Sequence, residues 1–145
     1  MIVSKAMLGP AAVLILWTLV VLVWVAVTRF GALAKSGVDL KAAPPGGRGR
    51  DLEQVLPAKV NWKSHNYSHL VEQPTIFYPA VIVLALAGGA TTVNLALAWA
   101  YVGLRIIHSL WQSLVNTVQI RFALFALSTA CLIGLSINAV ILTLS

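Results

Sequence analysis

Long uncharged stretches alternate with short polar segments along most of the chain, and this pattern predicts helices that cross a membrane. The first stretch covers residues 6–27 and is followed by Arg29. At a rise of ~1.5 Å per residue, an α-helix of this length spans the ~30 Å hydrocarbon core of a bilayer. The stretch is longer than the apolar region of a secretory signal peptide, which is about 7–15 residues, so we interpret it as a retained transmembrane helix.

The remaining apolar sequence predicts three further helices. Residues 73–104 carry no charge, and this stretch is too long for one span and too short for two. Residues 88–92, Gly-Gly-Ala-Thr-Thr, supply the break through permissive backbone and short polar side chains. Short connections predict that neighbouring spans pack antiparallel, so we expect one all-α domain, residues 1–145, built as an integral membrane four-helix bundle. The predicted spans are about 6–28, 63–92, 94–115 and 121–144.

One charged segment, about 29–62, separates the first span from the second. Its residues 43–50 are rich in proline and glycine and cannot support a regular element, so we expect a mobile loop. Lysine and arginine concentrate in loops on the cytoplasmic side of membranes, which predicts that this loop is cytoplasmic. No eukaryotic retention signal is visible, which favours a bacterial inner membrane.

Composition narrows the class of protein. Of the 145 residues, 59% are hydrophobic and 10% are charged, whereas a soluble domain is about 45–50% apolar and about 25% charged. A soluble globular protein is therefore excluded. The net charge of +6 comes mostly from the loop, and no phosphate-binding glycine motif or nucleic-acid module is present, so it indicates anionic lipid headgroups rather than nucleic acid. The single cysteine, Cys131, cannot build a disulfide framework or a cysteine-based metal site within one chain.

Strongly polar side chains outside the loop fall at one predicted depth of the membrane. On a helix, positions i, i+4 and i+7 share a face, as do positions i, i+3 and i+7, so the second and third spans each present a polar face. The guanidinium of Arg105, roughly two turns inside a span, costs about 2.5–3.5 kcal/mol unless it faces protein or water. These residues predict a polar pocket between spans two, three and four. They are His65, His69, Glu72, Arg105, His108, Gln112 and Arg121.

The chemistry of this pocket has several interpretations from the residues alone. Glu72 lies near the depth at which it could pair with Arg105. A purely structural ion pair is one interpretation, although buried pairs stabilise poorly because desolvation offsets the Coulomb attraction. The spacing H-x3-H-x2-E is also compatible with a metal site on one helical face, but no CxxC or HExxH motif accompanies it, and we predict no metal.

At these residues the sequence resembles the MAPEG family, the membrane-associated proteins in eicosanoid and glutathione metabolism. The family pattern Arg-x-x-x-Asn-x-x-Glu in helix two is matched by His65, His69 and Glu72, of which only the glutamate is kept. The helix-three pattern Arg-x-x-His, followed four residues later by tyrosine, is similar to Arg105 and His108, with glutamine at 112. The helix-four arginine of the family is matched at position 121.

The resemblance implies a homotrimer with glutathione bound between subunits as a co-substrate. It implies that Arg121 is catalytic and stabilises the glutathione thiolate, which attacks hydrophobic electrophiles arriving from the bilayer. A cation beside a sulfur favours the thiolate, which is the nucleophilic form. The resemblance assigns glutathione binding to six further residues: His65, His69, Glu72, Arg105, His108 and Gln112.

Two functions of different class follow as hypotheses. The first is a glutathione-dependent transferase or peroxidase that acts on hydrophobic electrophiles. The alternative is a non-catalytic membrane bundle whose polar pocket holds another small ligand or a partner helix. A proton or ion pathway through Glu72 is a third hypothesis.

Overall fold

The computed structural model describes residues 3–39 and 45–145, and the regular structure of this part of the chain is entirely helical. Four helical segments are long and apolar enough to cross a membrane, with α2 and α3 together forming one of them. The predicted all-α bundle of four spans is therefore confirmed. The helices are α1 Lys5–Ser36, a 3₁₀ helix Gly49–Gln54, α2 Ala58–Glu72, α3 Pro74–Leu86, α4 Thr92–Leu114 and α5 Val118–Leu144.

Successive spans run in opposite directions, so the bundle has two distinct ends. The end that carries residues 45–57 and the α4–α5 connection is here named the loop end. The opposite end carries the α3–α4 connection, the start of α1 and the end of α5. There the backbone amide of Ser4 donates to the carbonyl of Ala85 at 3.3 Å, which fixes the start of α1 against α3.

Helix α1 packs a narrow face against the rest of the bundle. Met7, Leu14 and Val21 are fully buried and lie seven residues apart. Seven residues are close to two helical turns, so these side chains form one row along the helix. Large apolar side chains elsewhere on α1, such as Leu16 and Val23, are exposed. That distribution is expected of a helix whose outer surface meets lipid.

Helix α1 is longer than the apolar stretch predicts. We expected the loop to begin at residue 29, whereas the helix continues to Ser36 and ends at Gly37, whose φ of 70° is the left-handed conformation of a helix C-terminus. Arg29 stabilises this extension, because its guanidinium donates to Ser64 Oγ at 2.9 Å and to the carbonyl of Gly49. Part of the predicted mobile loop, residues 40–44, lies outside the described residues.

The second half of the loop also contains a regular element that the sequence did not predict. In the 3₁₀ helix, the backbone amide of Arg48 donates to Asp51 Oδ2 at 2.7 Å, which caps the first turn. The buried Asn61 then donates from Nδ2 to the carbonyl of Glu53 at 2.8 Å. Side-chain capping thus compensates for the nearby glycines, and the segment is tied to the first turn of α2.

Helices α2 and α3 form one transmembrane rod. Gln73 joins them with helical backbone angles, φ −65° and ψ −39°, and Pro74 occupies the first position of α3. Proline lacks an amide proton, so the carbonyl of Leu70 loses its usual partner. The Gln73 side chain stabilises the junction: its Nε2 donates to Thr129 Oγ1 at 2.8 Å, and its Oε1 accepts a 3.4 Å hydrogen bond from the Tyr101 hydroxyl.

The α3–α4 turn occupies the glycine-rich break expected from the sequence. Gly88 has a φ of 76°, a conformation that residues with a side chain adopt at a cost. At Gly89 a Cβ atom would lie 2.8 Å from Leu142 Cδ2 and from Leu84 Cδ2, so a side chain there would displace the ends of two leucines. Thr91 caps α4 by accepting a 3.2 Å hydrogen bond from the amide of Asn94.

Candidate functional site

The polar face of α4 is turned toward the inside of the bundle. Its side chains are almost completely buried although most are polar or charged. Spacings of three and four residues place them on one side of the helix, facing α2 on one flank and α5 on the other. The α4–α5 turn closes the site at the loop end. The buried polar residues of this face are Arg105, His108, Ser109, Gln112 and Ser113.

Arg105 is fully buried and only partly satisfied. Its Nη2 donates to the carbonyl of His69 at 2.5 Å, whereas Nε and Nη1 have no hydrogen-bond partner among the described residues. The rings of Tyr101 and Phe125 lie 6.0 Å and 5.9 Å from the guanidinium carbon. A buried donor without a partner costs about 1–3 kcal/mol, and more when it is charged. The two buried N–H groups of Arg105 that lack a partner therefore favour a polar group bound at this position.

The expected ion pair between Glu72 and Arg105 is wrong for the single chain. Within residues 3–39 and 45–145, no carboxylate lies within ion-pair distance of Arg105, and Glu72 instead approaches His69, with Oε2 3.7 Å from Nδ1. The Glu72 side chain is 66% exposed. The carbonyl of His69 faces Arg105, and Glu72 lies three residues farther along, where its side chain leaves the α2–α4 interface.

His65 lies apart from the other predicted site residues. Its Nε2 is 3.1 Å from Glu53 Oε1, and the two side chains are 48% and 37% exposed. The pair joins α2 to the 3₁₀ helix at the surface of the loop end. His65 and Glu72 therefore border the buried cluster on its exposed side rather than forming part of it.

Arg121 borders a small pocket whose other walls are mostly aromatic. Its Nη1 donates to Asn116 Oδ1 at 2.7 Å, within the α4–α5 turn. The imidazole rings of His69 and His108 lie 5.9 Å apart, and each ring centroid is 6.4 Å from that of Phe125. The pocket holds about 170 Å³. Its lining residues are His69, His108, Val118, Arg121, Phe122 and Phe125.

The structure thus joins three of the seven predicted residues around one space: His69, His108 and Arg121 line the pocket, whereas Arg105 is buried behind His69 and does not line it. Gln112 is buried one turn beyond His108, and its Oε1 has no partner within the described chain. No group of three histidine, cysteine, aspartate or glutamate side chains that could hold a metal occurs in residues 3–39 and 45–145.

Asn66 was not among the predicted site residues, although it is fully buried between α2 and α4. Its Nδ2 donates to Ser109 Oγ at 2.7 Å and to Ser113 Oγ at 3.0 Å, while its Oδ1 has no partner in the described structure. A signal was present. Asn66, His69 and Gln73 follow the spacing i, i+3, i+7, which is the helical face that meets α4.

Comparison with known proteins identifies the family. A family model described as the MAPEG family matches residues 7–141, which is nearly the whole chain. No curated protein and no solved structure matches the sequence. Four apolar helices and this match make the chain an integral, multi-pass membrane protein in contact with the lipid bilayer. The chain belongs to the MAPEG family.

Proposed function

We propose that this protein binds glutathione in the pocket beside Arg121 and conjugates it through its sulfur to hydrophobic electrophiles, or reduces hydrophobic peroxides as two glutathione molecules are oxidised to the disulfide. Membership of the MAPEG family supports this function because the family is generally associated with glutathione. The observation that carries the proposal is the position of Arg121 at the edge of a pocket walled by His69, His108 and two phenylalanines.

Arg121 supplies the chemistry that such a reaction needs. Guanidinium is always cationic and stabilises a nearby thiolate, which is the nucleophilic form of a thiol. Asn116 holds one guanidinium nitrogen and leaves the other donors for a ligand. The electrophile would enter from the bilayer past Phe122 and Val118, whose side chains are 69% and 66% exposed. An apolar entrance beside a cation suits a hydrophobic substrate and an anionic nucleophile.

Glutathione needs more space than one chain provides. Pockets for small ligands have volumes of about 300–1,000 Å³, whereas the Arg121 pocket holds about 170 Å³. Glu72, which is 66% exposed on a membrane-spanning helix, also leaves a charge that hydrocarbon cannot solvate. We therefore propose a homotrimer in which a neighbouring subunit completes each site, with the loop end on the cytoplasmic face of a bacterial inner membrane.

Within this site, different polar residues would contact different groups of glutathione. Arg105 offers two free N–H donors to a carboxylate or a peptide carbonyl, and Glu72 offers an acceptor for the glutamyl ammonium. His65, His69, His108 and Gln112 would contribute further hydrogen bonds. His65 would first have to leave Glu53, 3.1 Å away.

The test measures conjugation of glutathione to 1-chloro-2,4-dinitrobenzene, and reduction of cumene hydroperoxide, by the purified full-length protein. We expect Arg121→Ala to abolish both rates. Arg50→Ala removes an arginine from the exposed 3₁₀ helix and should leave both unchanged. Isothermal titration with glutathione accompanies the assays, and absence of binding at millimolar glutathione would contradict the proposal.

One observation favours a second candidate, a non-catalytic bundle with a pocket for another ligand or a partner helix. The Arg121–Asn116 hydrogen bond pins the α4–α5 turn, where Asn116 has a positive φ of 62°, so Arg121 has a structural contact independent of any ligand. In that case Arg121→Ala would lower the unfolding temperature of a protein that binds no glutathione. A catalytic Arg121 predicts lost activity with retained glutathione binding.

A further inference from the structure

A groove larger than the Arg121 pocket lies at the end of α1. It has a volume of about 550 Å³ and runs between the last turns of α1 and the segment that leads into α2. Val27 and Gly31 form one wall, and Val55 and Val60 form the other. Its volume is within the range of about 300–1,000 Å³ that is typical of small-ligand pockets.

One charged group lies among otherwise apolar walls. Lys35 is the cation in the lining. The lining hydroxyls are already used by the helix itself: Thr28 donates to the carbonyl of Trp24 at 2.8 Å, and Ser36 donates to that of Leu33 at 2.9 Å. No carboxylate of the described chain is within ion-pair distance of Lys35. The groove therefore pairs apolar surface with a single ammonium.

Neighbouring cations differ from Lys35 because they have partners among the described residues. Arg29 donates to Ser64 and to the carbonyl of Gly49. Lys63 Nζ donates to the carbonyl of Lys59 at 2.8 Å and lies 5.3 Å from the centroid of the Trp24 ring. Together they keep the loop end electropositive while Lys35 is left for an external anion.

The groove lies at the depth of lipid headgroups. Helix α1 has 32 residues, which at ~1.5 Å per residue is far longer than the ~30 Å hydrocarbon core. Its last turns therefore extend into the interface. Trp24, one turn before the groove, is of the residue type that concentrates at this boundary.

We infer that this groove binds an anionic phospholipid, with an acyl chain along the valines and the headgroup phosphate at Lys35. Charge selects the headgroup, because the lining holds a cation and no carboxylate. Apolar surface continuous with the lipid-facing side of α1, where Val27 is 66% exposed, accepts the chain. This site is separate from the Arg121 pocket and does not depend on glutathione chemistry.

Native mass spectrometry of the detergent-purified protein tests the inference. The protein is titrated with phosphatidylglycerol and with phosphatidylcholine of identical acyl chains, and we expect tighter binding of the anionic lipid. Lys35→Gln should weaken phosphatidylglycerol binding about fivefold, the usual contribution of one cation near a membrane surface. Lys5→Gln, which removes a cation from the opposite end of the same helix, is the matched control and should have no effect.

A second pair of variants tests the groove itself. A Cβ at Gly31 meets nothing within 4 Å, so Gly31→Leu adds a side chain that begins in open space beside the groove and should weaken binding of both lipids. Gly103→Leu is the control, since that glycine on α4 is equally unobstructed and lies away from the groove. Circular dichroism confirms the helix content of each variant.

Two results would overturn the inference. The first is equal affinity of the unaltered protein for the two lipids, which is informative even if a variant fails to fold. The second is competition by millimolar glycerol 3-phosphate, which would mean that Lys35 binds a soluble phosphate rather than a membrane lipid.

Discussion

Two buried polar networks lie at opposite ends of the bundle, and they differ in how completely their hydrogen bonds are satisfied. At the end opposite the loop, Asn138 Nδ2 donates to Asn94 Oδ1 at 2.6 Å, and Asn94 Nδ2 donates to the carbonyl of Gly89 at 2.8 Å. At the loop end, two nitrogens of Arg105 and one oxygen each of Asn66 and Gln112 have no hydrogen-bond partner among residues 3–39 and 45–145.

The difference separates polar groups that hold the fold from polar groups available to a ligand. A satisfied buried network stabilises one arrangement of helices, whereas an unsatisfied one costs free energy until a ligand or water completes it. The Asn94 network clamps the α3–α4 turn against α5, whereas the Arg105 cluster keeps buried donors and acceptors without a partner among the described residues. Mutations at the two ends should therefore affect different properties of the protein.

The largest effect is expected from Arg105→Leu, measured as glutathione affinity by isothermal titration. Loss of two charge-assisted hydrogen bonds, about 3 kcal/mol in total, should weaken binding at least about 100-fold. The unfolding temperature of the ligand-free protein should stay constant or rise, because an apolar side chain replaces a buried charge without a carboxylate partner. If Arg105→Leu lowers the unfolding temperature and leaves glutathione affinity unchanged, Arg105 stabilises the fold and does not bind the ligand.

Asn94→Leu should give the complementary result. It leaves the Asn138 amide without its acceptor and removes one of the two hydrogen bonds to the Gly89 carbonyl, which still accepts from the amide of Thr91, so we expect the free energy of unfolding to fall by about 1–3 kcal/mol. Glutathione affinity should not change. Asn138→Ala removes one of the two hydrogen bonds and should cost less, and equal losses in the two variants would mean that the Asn94–Gly89 hydrogen bond adds no stability of its own.

A smaller effect is expected from Asn66→Ala at the loop end. The Ser109 and Ser113 hydroxyls can turn to carbonyls of their own helix when the amide is removed, so the free energy of unfolding should fall by about 1 kcal/mol or less. Ser68→Ala, at an exposed position on the same helix, serves as the control. A loss as large as that of Asn94→Leu would place Asn66 among the groups that hold the fold.

The smallest effect is expected from Glu53→Gln. The Glu53–His65 pair is partly exposed, and such pairs contribute about 0–1 kcal/mol to stability. The unfolding temperature should therefore be almost unchanged. The rate at which a protease cleaves the 3₁₀ helix in limited proteolysis should increase. Asp51→Asn, which weakens the cap of the same helix, provides the comparison. Protection of the segment in both variants would show that Asn61 alone holds it.

The sequence predicts the fold reliably where the thickness of the bilayer determines the length of a helix. The lengths of the apolar stretches predict four spans, and residues 88–92 predict the turn between two of them, where Gly88 adopts a positive φ and Gly89 leaves room for neighbouring leucine side chains. The helical periodicity of Arg105, His108 and Gln112 predicts one buried face on α4. Each of these inferences needs only local rules of length, conformation and spacing.

Contacts between helices were harder to predict, because periodicity gives a face but not its rotational alignment with a neighbour. Glu72 and Arg105 lie at similar depth, yet the carbonyl of His69 occupies the position expected for the carboxylate. The 3₁₀ helix depends on the side chain of Asp51 and on Asn61 from another segment, which composition alone does not reveal. Asn66 was missed because the neighbouring histidines carry a stronger chemical signal.

The junction at Gln73 gives the second span a mechanical property that an unbroken helix lacks. Pro74 and Pro79 withhold amide protons from the carbonyls of Leu70 and Thr75, so bending stiffness is low at the level of the Gln73 side chain. The half that carries Phe77 is held against α4 by aromatic stacking on Tyr101, with ring centroids 4.3 Å apart, whereas the half that carries Asn66 is held by hydrogen bonds to Ser109 and Ser113. Two fixed segments thus meet at a proline junction, which is where the rod bends most easily.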